Sequence, residues 1–231
     1  MNAPYTDDAE LFTLMETELF TAVVGDILDA MGFRRQFLPP ELKPIYPEMR
    51  LIGRAMPVIE ADVHAADNGD TANPLLSKSF GLMLEALDDL KPGEIYVATG
   101  SSPRYALWGE LMATRAGILG ARGALVNGFA RDADGIRELG FPCFATGIYA
   151  QDQGPRGKVI DYRTAVEIDG IRIEPGALLF GDKEGVLVIP TEVEGEVIGR
   201  SLEKARGEKK VGEAIAGGMS AVEAFATYGI M

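Results

Sequence analysis

Twenty residues separate Glu110 from Arg131, and that interval decides what the middle of this chain can become. It holds one helical stretch, over 109–120, and one apolar strand, over 123–127. Such a crossover joins parallel strands, runs right-handed and brings the chain back to the same end of the sheet. Trp108-Gly109-Glu110-Leu111-Met112 opens it, and Asn127-Gly128-Phe129-Ala130-Arg131-Asp132 closes it. Two carboxylates and one guanidinium then converge, a set able to hold a hard metal ion and a small anionic substrate.

The alternation continues on both sides. A helix over 77–90 and a strand over 94–99 precede the crossover; a helix over 132–139 and a strand over 142–146 follow it. This is the pattern of parallel βαβ units. Beyond residue 150 the pattern changes to short strands over 158–189, with Asp169-Gly170 as a hairpin signal. A charged helix over 191–216, broken at Gly207, and a short helix within 219–231 close the chain. Near the start, residues 8–32 read as helix, with Thr21 capping a second segment and Gly32 ending it. Gly53–Ala61 reads as a strand in which Pro57 favours an edge or a bulge. With no internal repeat or linker, one α/β domain over 1–231 with flanking antiparallel strands is the expectation.

Composition narrows the chemistry. The formal charge of −13 argues against non-specific nucleic-acid binding, although a local Arg or metal can still attract an anion. No apolar run approaches the ~20 residues needed to cross a bilayer. The N-terminal stretch has no basic or long apolar region of a signal peptide. With the single Cys143, which permits no intrachain disulfide, this leads us to expect a cytoplasmic protein. His64 is the sole histidine, so an HExxH helix or a His-rich zinc site within one chain is impossible. His64 also sits in no nucleophile motif. Metal ligands would be mostly oxygens, favouring Mg, Mn or Ca. A base would come from Asp, Glu, Lys, Tyr or metal-bound water.

Each candidate has a plainer reading. Glu110 in a first helical turn suits the helix dipole, Asp132 suits an N-cap, and Arg131 suits a surface ion pair. Taken together they say more. Both acids stand at helix starts, Gly109 and Gly128 permit close backbone approach, and Arg131 can grip a carboxylate with its fork.

The stretch WGELMATRAGILGARGALVNGFARDADGIRELGFPCFATG resembles the core of the RraA-like family. The likeness runs on through PGALLFGDKEGVLVIP to the helix after Thr191, and more weakly back to Thr21 and Asp26, so it covers most of the chain. That family includes class II 4-hydroxy-4-methyl-2-oxoglutarate/4-carboxy-4-hydroxy-2-oxoadipate aldolases, which also decarboxylate oxaloacetate. The shared motif is an acid, twenty residues, then Arg-Asp, matched here by Glu110, Arg131 and Asp132. The resemblance implies a swivelling-domain-like α/β/α fold with a central mixed sheet and flanking N- and C-terminal helices. It implies homotrimers or dimers of trimers with sites between subunits. It implies that Asp132 ligates Mg²⁺ or Mn²⁺ and that Glu110 holds metal-bound water. Arg131 would bind a small 2-oxo acid and stabilise its enolate, with Gly109 and the amides near Leu111 and Met112 receiving the carboxylate.

Two departures stand out. The aldolases usually carry Asp where this chain has Glu110, and the loop over 65–80 is longer than theirs. The implied activity is retro-aldol release of pyruvate from a 4-hydroxy-2-oxo acid, with oxaloacetate decarboxylation through the same enolate. A Schiff-base route ranks lower, because the lysines lie mostly in polar contexts. The competing reading is a non-catalytic RraA-type regulator of ribonuclease; that branch lacks the aspartate after the arginine, and Asp132 is present here. A methyltransferase reading lacks a Gly-rich nucleotide loop. Weaker site candidates are Glu208, Asp67 and Arg104, whose plainer readings are a solvated helix face, a turn and a surface loop. Trp108 reads as a packing anchor and Cys143 as buried and inert.

Overall fold

The computed structural model describes residues 3–63 and 73–229. In chain order its elements are α1 (Asp8–Glu18), α2 (Thr21–Ala30), β1 (Lys43–Pro44), β2 (Leu51–Asp62), α3 (Met83–Asp88), β3 (Glu94–Thr99), β4 (Ala106–Trp108), α4 (Glu110–Ile118), β5 (Gly123–Ala130), α5 (Ala133–Glu138), β6 (Cys143–Ile148), β7 (Gly157–Tyr162), β8 (Val166–Ile168), β9 (Ile171–Ile173), β10 (Leu178–Asp182), β11 (Gly185–Ile189), α6 (Glu194–Ala216) and α7 (Ala221–Tyr228). They fall into two compact units, residues 1–34 with 192–231, and residues 35–191. The expected mixed sheet and terminal helices are both present.

In the first unit, α6 packs along α2 and α1, and α7 packs on α6. Leu11, Met15, Val24, Leu28, Val197, Ile198 and Leu202 are buried. Asp7, not Thr21, provides a side-chain cap: its carboxylate accepts from the Glu10 amide, while α2 starts after Phe20 without one. Arg206 forks onto Glu18 at 2.7 and 2.8 Å, holding that carboxyl below its usual range. The expected break at Gly207 is absent. One glycine costs about 1 kcal/mol, too little to interrupt a helix held along its length by packing.

In the second unit, the sheet order is β1-β6-β5-β3-β2-β10-β11, with β4 on β5 and β7 on β2. Pairs β6–β5, β5–β3, β3–β2 and β4–β5 are parallel; β1, β7, β10 and β11 join antiparallel. The ends of this order nearly meet. Residues 36–38, just ahead of β1, bond to β11 through Leu38 N–H to Val186 O and Val188 N–H to Gln36 O. The sheet is therefore curled close to a barrel. Asp169 and Gly170 both have positive φ, 50° and 74°, the requirement of a tight two-residue hairpin, and they join β8 to β9.

Three expectations change. Pro57 lies on a strand with neighbours on both sides. On one side β2 exchanges β10, paired through Arg54, for β7, paired from Val58, and a residue without an N–H fits that change-over. The helix expected over 77–90 is a 3-10 turn at Pro74–Ser77 followed by the short α3. Gly81 divides them: its φ is +64°, and a Cβ there would lie 2.2 Å from the Val159 carbonyl oxygen. The strand expected over 123–127 continues to Ala130 because β4, absent from the sequence reading, pairs with its end.

Trp108 anchors the core beneath the parallel strand ends. It is 1% exposed, 5.0 Å from the Tyr96 ring and stacked 5.8 Å from Phe141. Trp108→Ala should lower unfolding stability by about 3–5 kcal/mol, measured by denaturant titration; a loss below about 1 kcal/mol would contradict this anchoring role.

Candidate functional site

Strands β4, β5 and β6 run parallel and end together. Their following loops carry Gly109, the Arg131-Asp132 pair and Asp152-Gln153, at the carboxyl ends where open α/β sheets bind ligands. Backbone bonds lock the three turns together: Arg131 N–H donates to Trp108 O at 2.9 Å, Tyr149 N–H to Ala130 O at 2.9 Å, and Ala106 N–H to Gln151 O at 2.8 Å.

Asp132 occupies the left-handed region, φ 55° and ψ 39°, at the start of α5. Asp tolerates this conformation better than most non-glycine residues. The twist turns its carboxylate toward the start of α4, where Oδ2 accepts from the Glu110 N–H at 3.4 Å. The approach is so close that a Cβ on Gly109 would lie 2.8 Å from Asp132 Oδ2. Arg131 lies between two acids: its Nε is 3.6 Å from Asp132 Oδ2, and its Nη1 is 2.9 Å from Asp152 Oδ1. Nη2 has no protein partner among the described residues.

Arg131, Asp132 and Asp152 line a cavity of about 350 Å³, within the usual range for small-molecule sites. Arg131, Asp132, Gly109, Leu111 and Met112, all expected from sequence, line it. The N–H groups of Leu111 and Met112 have no intrahelical acceptor, because the α4 ladder begins with Ala113 N–H to Gly109 O. Glu110 takes a different place. Its backbone joins the site, but its carboxylate rests over α5, where a Cβ on Gly135 would meet Oε2 at 2.3 Å. It does not line the cavity.

The weaker candidates separate. Arg104 is exposed in its loop and does not line the cavity. Glu208 stands on α6 in the helical unit, 3.6 Å from Lys204. Asp67 and His64 lie outside the described residues. Cys143 is buried, which pushes its thiol well above the usual range.

Asp152 and Gln153 were missed from the sequence. Their signal was present: the polar run Tyr149–Gly154 follows the third parallel strand, and loops at that end converge. Behind Gln153 lies Glu60, only 2% exposed, whose carboxyl accepts from the Gln153 amide. Burial, and secondarily the nearby Asp62 charge, push its pKa up to about 8. Asp62 accepts from the Tyr105 hydroxyl and the Ser102 N–H, both at 2.9 Å.

The Aldolase/RraA family model matches residues 21–188, a span that includes the Arg131-Asp132 pair and the crossover before it. The chain belongs to the Aldolase/RraA family. Among its relatives, a putative 4-hydroxy-4-methyl-2-oxoglutarate aldolase of Halalkalibacterium halodurans is 27% identical over 207 residues, covering 89% of each chain. Protein DlpA of Legionella pneumophila is 28% identical over 90% of this chain, which spans about a third (32%) of that longer protein. The crystal structure of an uncharacterized protein from Pseudomonas syringae superposes with a TM-score of 0.82 at 27% identity, covering 99% of this chain and 97% of that one. Streptomyces coelicolor RraAS2, described as an unusual member of the RNase ES inhibitor RraA protein family, shares the fold: TM-score 0.71 at 21% identity, over 89% and 98% of the two chains.

The divalent ion implied by the sequence resemblance can be weighed against these donors. Among the described residues no group of three or more His, Cys, Asp or Glu is arranged to hold a metal. Asp132 is 45% exposed, and its second oxygen has no protein partner among the described residues. One open carboxylate with room for water fits Mg²⁺, which retains several waters, and does not fit a closed zinc site. Among the described residues no helix is long and apolar enough to cross a membrane.

Two outcomes are expected. Gly109→Ala should force Asp132 from its seat and reduce turnover at least tenfold while leaving circular dichroism unchanged; retained turnover would show that the close approach is dispensable. Glu60 adds a pH dependence. Below about pH 4.5 it is protonated in both folded and unfolded chains. Between there and about 8 only the folded chain keeps the proton, so stability falls as pH rises through this window. The total loss is on the order of a few kcal/mol. Glu60→Gln should flatten that loss, read as denaturation midpoints at pH 5 and pH 9.

Proposed function

We propose that this chain is a divalent-metal-dependent lyase that cleaves a small 4-hydroxy-2-oxo acid and releases pyruvate. One observation carries the reading: Arg131 and Asp132 share one small-molecule cavity with Leu111 and Met112 of the first turn of α4, whose N–H groups have no intrahelical acceptor. The aldolase name of a relative aligned over 89% of both chains supports it.

The substrate's 1-carboxylate is received by the Leu111 and Met112 N–H groups, where the helix start favours an anion. Arg131 presents its guanidinium to the 2-oxo group, and the pair with Asp152 fixes the direction of the fork. As the 4-hydroxyl gives its proton to water and the C3–C4 bond breaks to leave a carbonyl at C4, negative charge gathers on the 2-oxygen, where this fixed cation stabilises it in a largely apolar cavity; C3 then takes a proton and pyruvate is released. Asp132 would hold Mg²⁺ or Mn²⁺, with Glu110 as the nearby acid able to hold a water. When bound, the ion supplies Lewis-acid charge at the developing enolate. Oxaloacetate would lose carbon dioxide through the same enolate, so decarboxylation is proposed as a second activity of the one site.

The test is pyruvate release from 4-hydroxy-4-methyl-2-oxoglutarate, other 4-hydroxy-2-oxo acids and oxaloacetate, with Mg²⁺ and with EDTA. Activity is expected to vanish in EDTA and return with Mg²⁺; persistence in EDTA would overturn the metal assignment. Asp132→Ala should abolish turnover. Arg131→Lys should lose at least a hundredfold in kcat/KM, because an ammonium cannot reproduce the fork.

A further inference from the structure

The pair with Asp152 sets the direction of the Arg131 fork, but it is weak on its own. Arg131 Nη1 meets Asp152 Oδ1 at 2.9 Å, with both side chains half-exposed in this chain. Water screens such a pair, and ordering two polar side chains opposes it. The loop behind Asp152 supplies what the pair lacks.

The contacts of that loop lead to Gln153. Asp152 Oδ2 accepts from the Gly154 N–H at 3.1 Å, and the Asp152 carbonyl accepts from Arg156 Nη1 at 2.9 Å. The Gln153 carbonyl accepts from the N–H groups of Arg156 and Gly157 at 2.7 and 2.9 Å, which ties the loop to the start of β7. Gln153 itself is 4% exposed, lines the cavity and gives its side-chain N–H to the buried Glu60 carboxyl.

An acid serves stability poorly at this point. Glu60 is buried near Asp62, so at neutral pH the folded chain must keep a proton that the unfolded chain releases. A methionine of similar volume would pack there without that cost. The strand is also irregular at Glu60: the β2–β7 pairing slips by one residue, from Ile59–Asp161 to Glu60–Val159. Bulges of this kind cluster beside active sites.

We infer that Glu60 is a positioning residue: through Gln153 it holds the 149–154 loop so that Asp152 directs the Arg131 fork. This rests on the lyase reading for what the fork does. Glu60 does not line the cavity, so it acts through its neighbour. A misdirected fork leaves the carboxylate seat at α4 in place, so the loss falls on kcat rather than on KM.

Two substitutions of like volume separate this from a packing role. Glu60→Met removes the acceptor, and Glu60→Gln keeps it. In pyruvate release with Mg²⁺, Glu60→Met should lower kcat at least tenfold and change KM less than threefold. Glu60→Gln should lie at least fivefold above Glu60→Met in kcat. Gln153→Met should match Glu60→Met, and carries the same expectation should Glu60→Met not fold. The double variant should be no slower than either single one, since both break one connection. Equal kcat in Glu60→Met and Glu60→Gln, a loss confined to KM, or additive losses would overturn the inference and leave the lyase reading intact. If the unaltered chain releases no pyruvate, the lyase reading falls, and calorimetric binding of oxalate, an analogue of the pyruvate enolate, decides the inference alone. Affinity at least tenfold weaker in Glu60→Met and restored in Glu60→Gln would uphold the positioning. Equal affinity in all three, or no binding by the unaltered chain, would overturn it.

Discussion

The site depends on one close approach. Asp132, twisted into a left-handed conformation at the end of β5, brings its carboxylate against the backbone at Gly109, leaving no space for a side chain there. That contact couples two turns more than twenty residues apart. It sets the start of α4 against the start of α5 and places Arg131 beside Gly109, in the cavity that Leu111 and Met112 also line. Packing under the turns keeps the geometry: Trp108 is clamped between Tyr96 and Phe141, and its backbone carbonyl receives the Arg131 N–H.

Charge is distributed in layers around this contact. Arg131 is the cation of the pocket, held by acids on both sides. One residue deeper, Glu60 is buried with Asp62 and two tyrosines for neighbours, and burial keeps its proton on to about pH 8. The chain is strongly acidic overall, yet Glu60, buried behind Gln153, is neutral near pH 7, so the charges that line the cavity are those of Arg131, Asp132 and Asp152. Farther along the sheet Arg163 performs a structural task, forking onto Glu94 at 2.7 and 2.9 Å and reaching Asp89, which ties the end of β7 to β3 and to the turn after α3.

Much of this was legible in the sequence because it followed from local pattern. The crossover between Glu110 and Arg131 could be read from its length, and the Asp169-Gly170 hairpin from its turn residues. The short β4 could not, since three residues carry no period and are held in the sheet by the end of β5. Pro57 misled for a related reason: its missing N–H excludes a ladder bond, but not a place where a strand changes neighbours. Arg131, Asp132, Leu111 and Met112 could be brought to one cavity from the sequence because they lie within the motif. Asp152 and Gln153 come from the next strand's loop, and only the order of strands brings them in. Glu110 shows the limit of spacing: its position was right for the cluster, but the absence of a side chain at Gly135 opens another seat for its carboxylate.

The curled sheet has one more consequence. Residues 36–38 cover the outer side of β11, β1 covers β6, and residues 80–82 bond along β7 through Leu82 N–H to Val159 O and Val159 N–H to Phe80 O. The backbone donors and acceptors that an open sheet would offer to another strand are thus largely used within the chain. Copies of this protein that meet through the larger sheet must therefore recognise side chains rather than add strand to strand, and that same closure protects its apolar parallel core from templated aggregation.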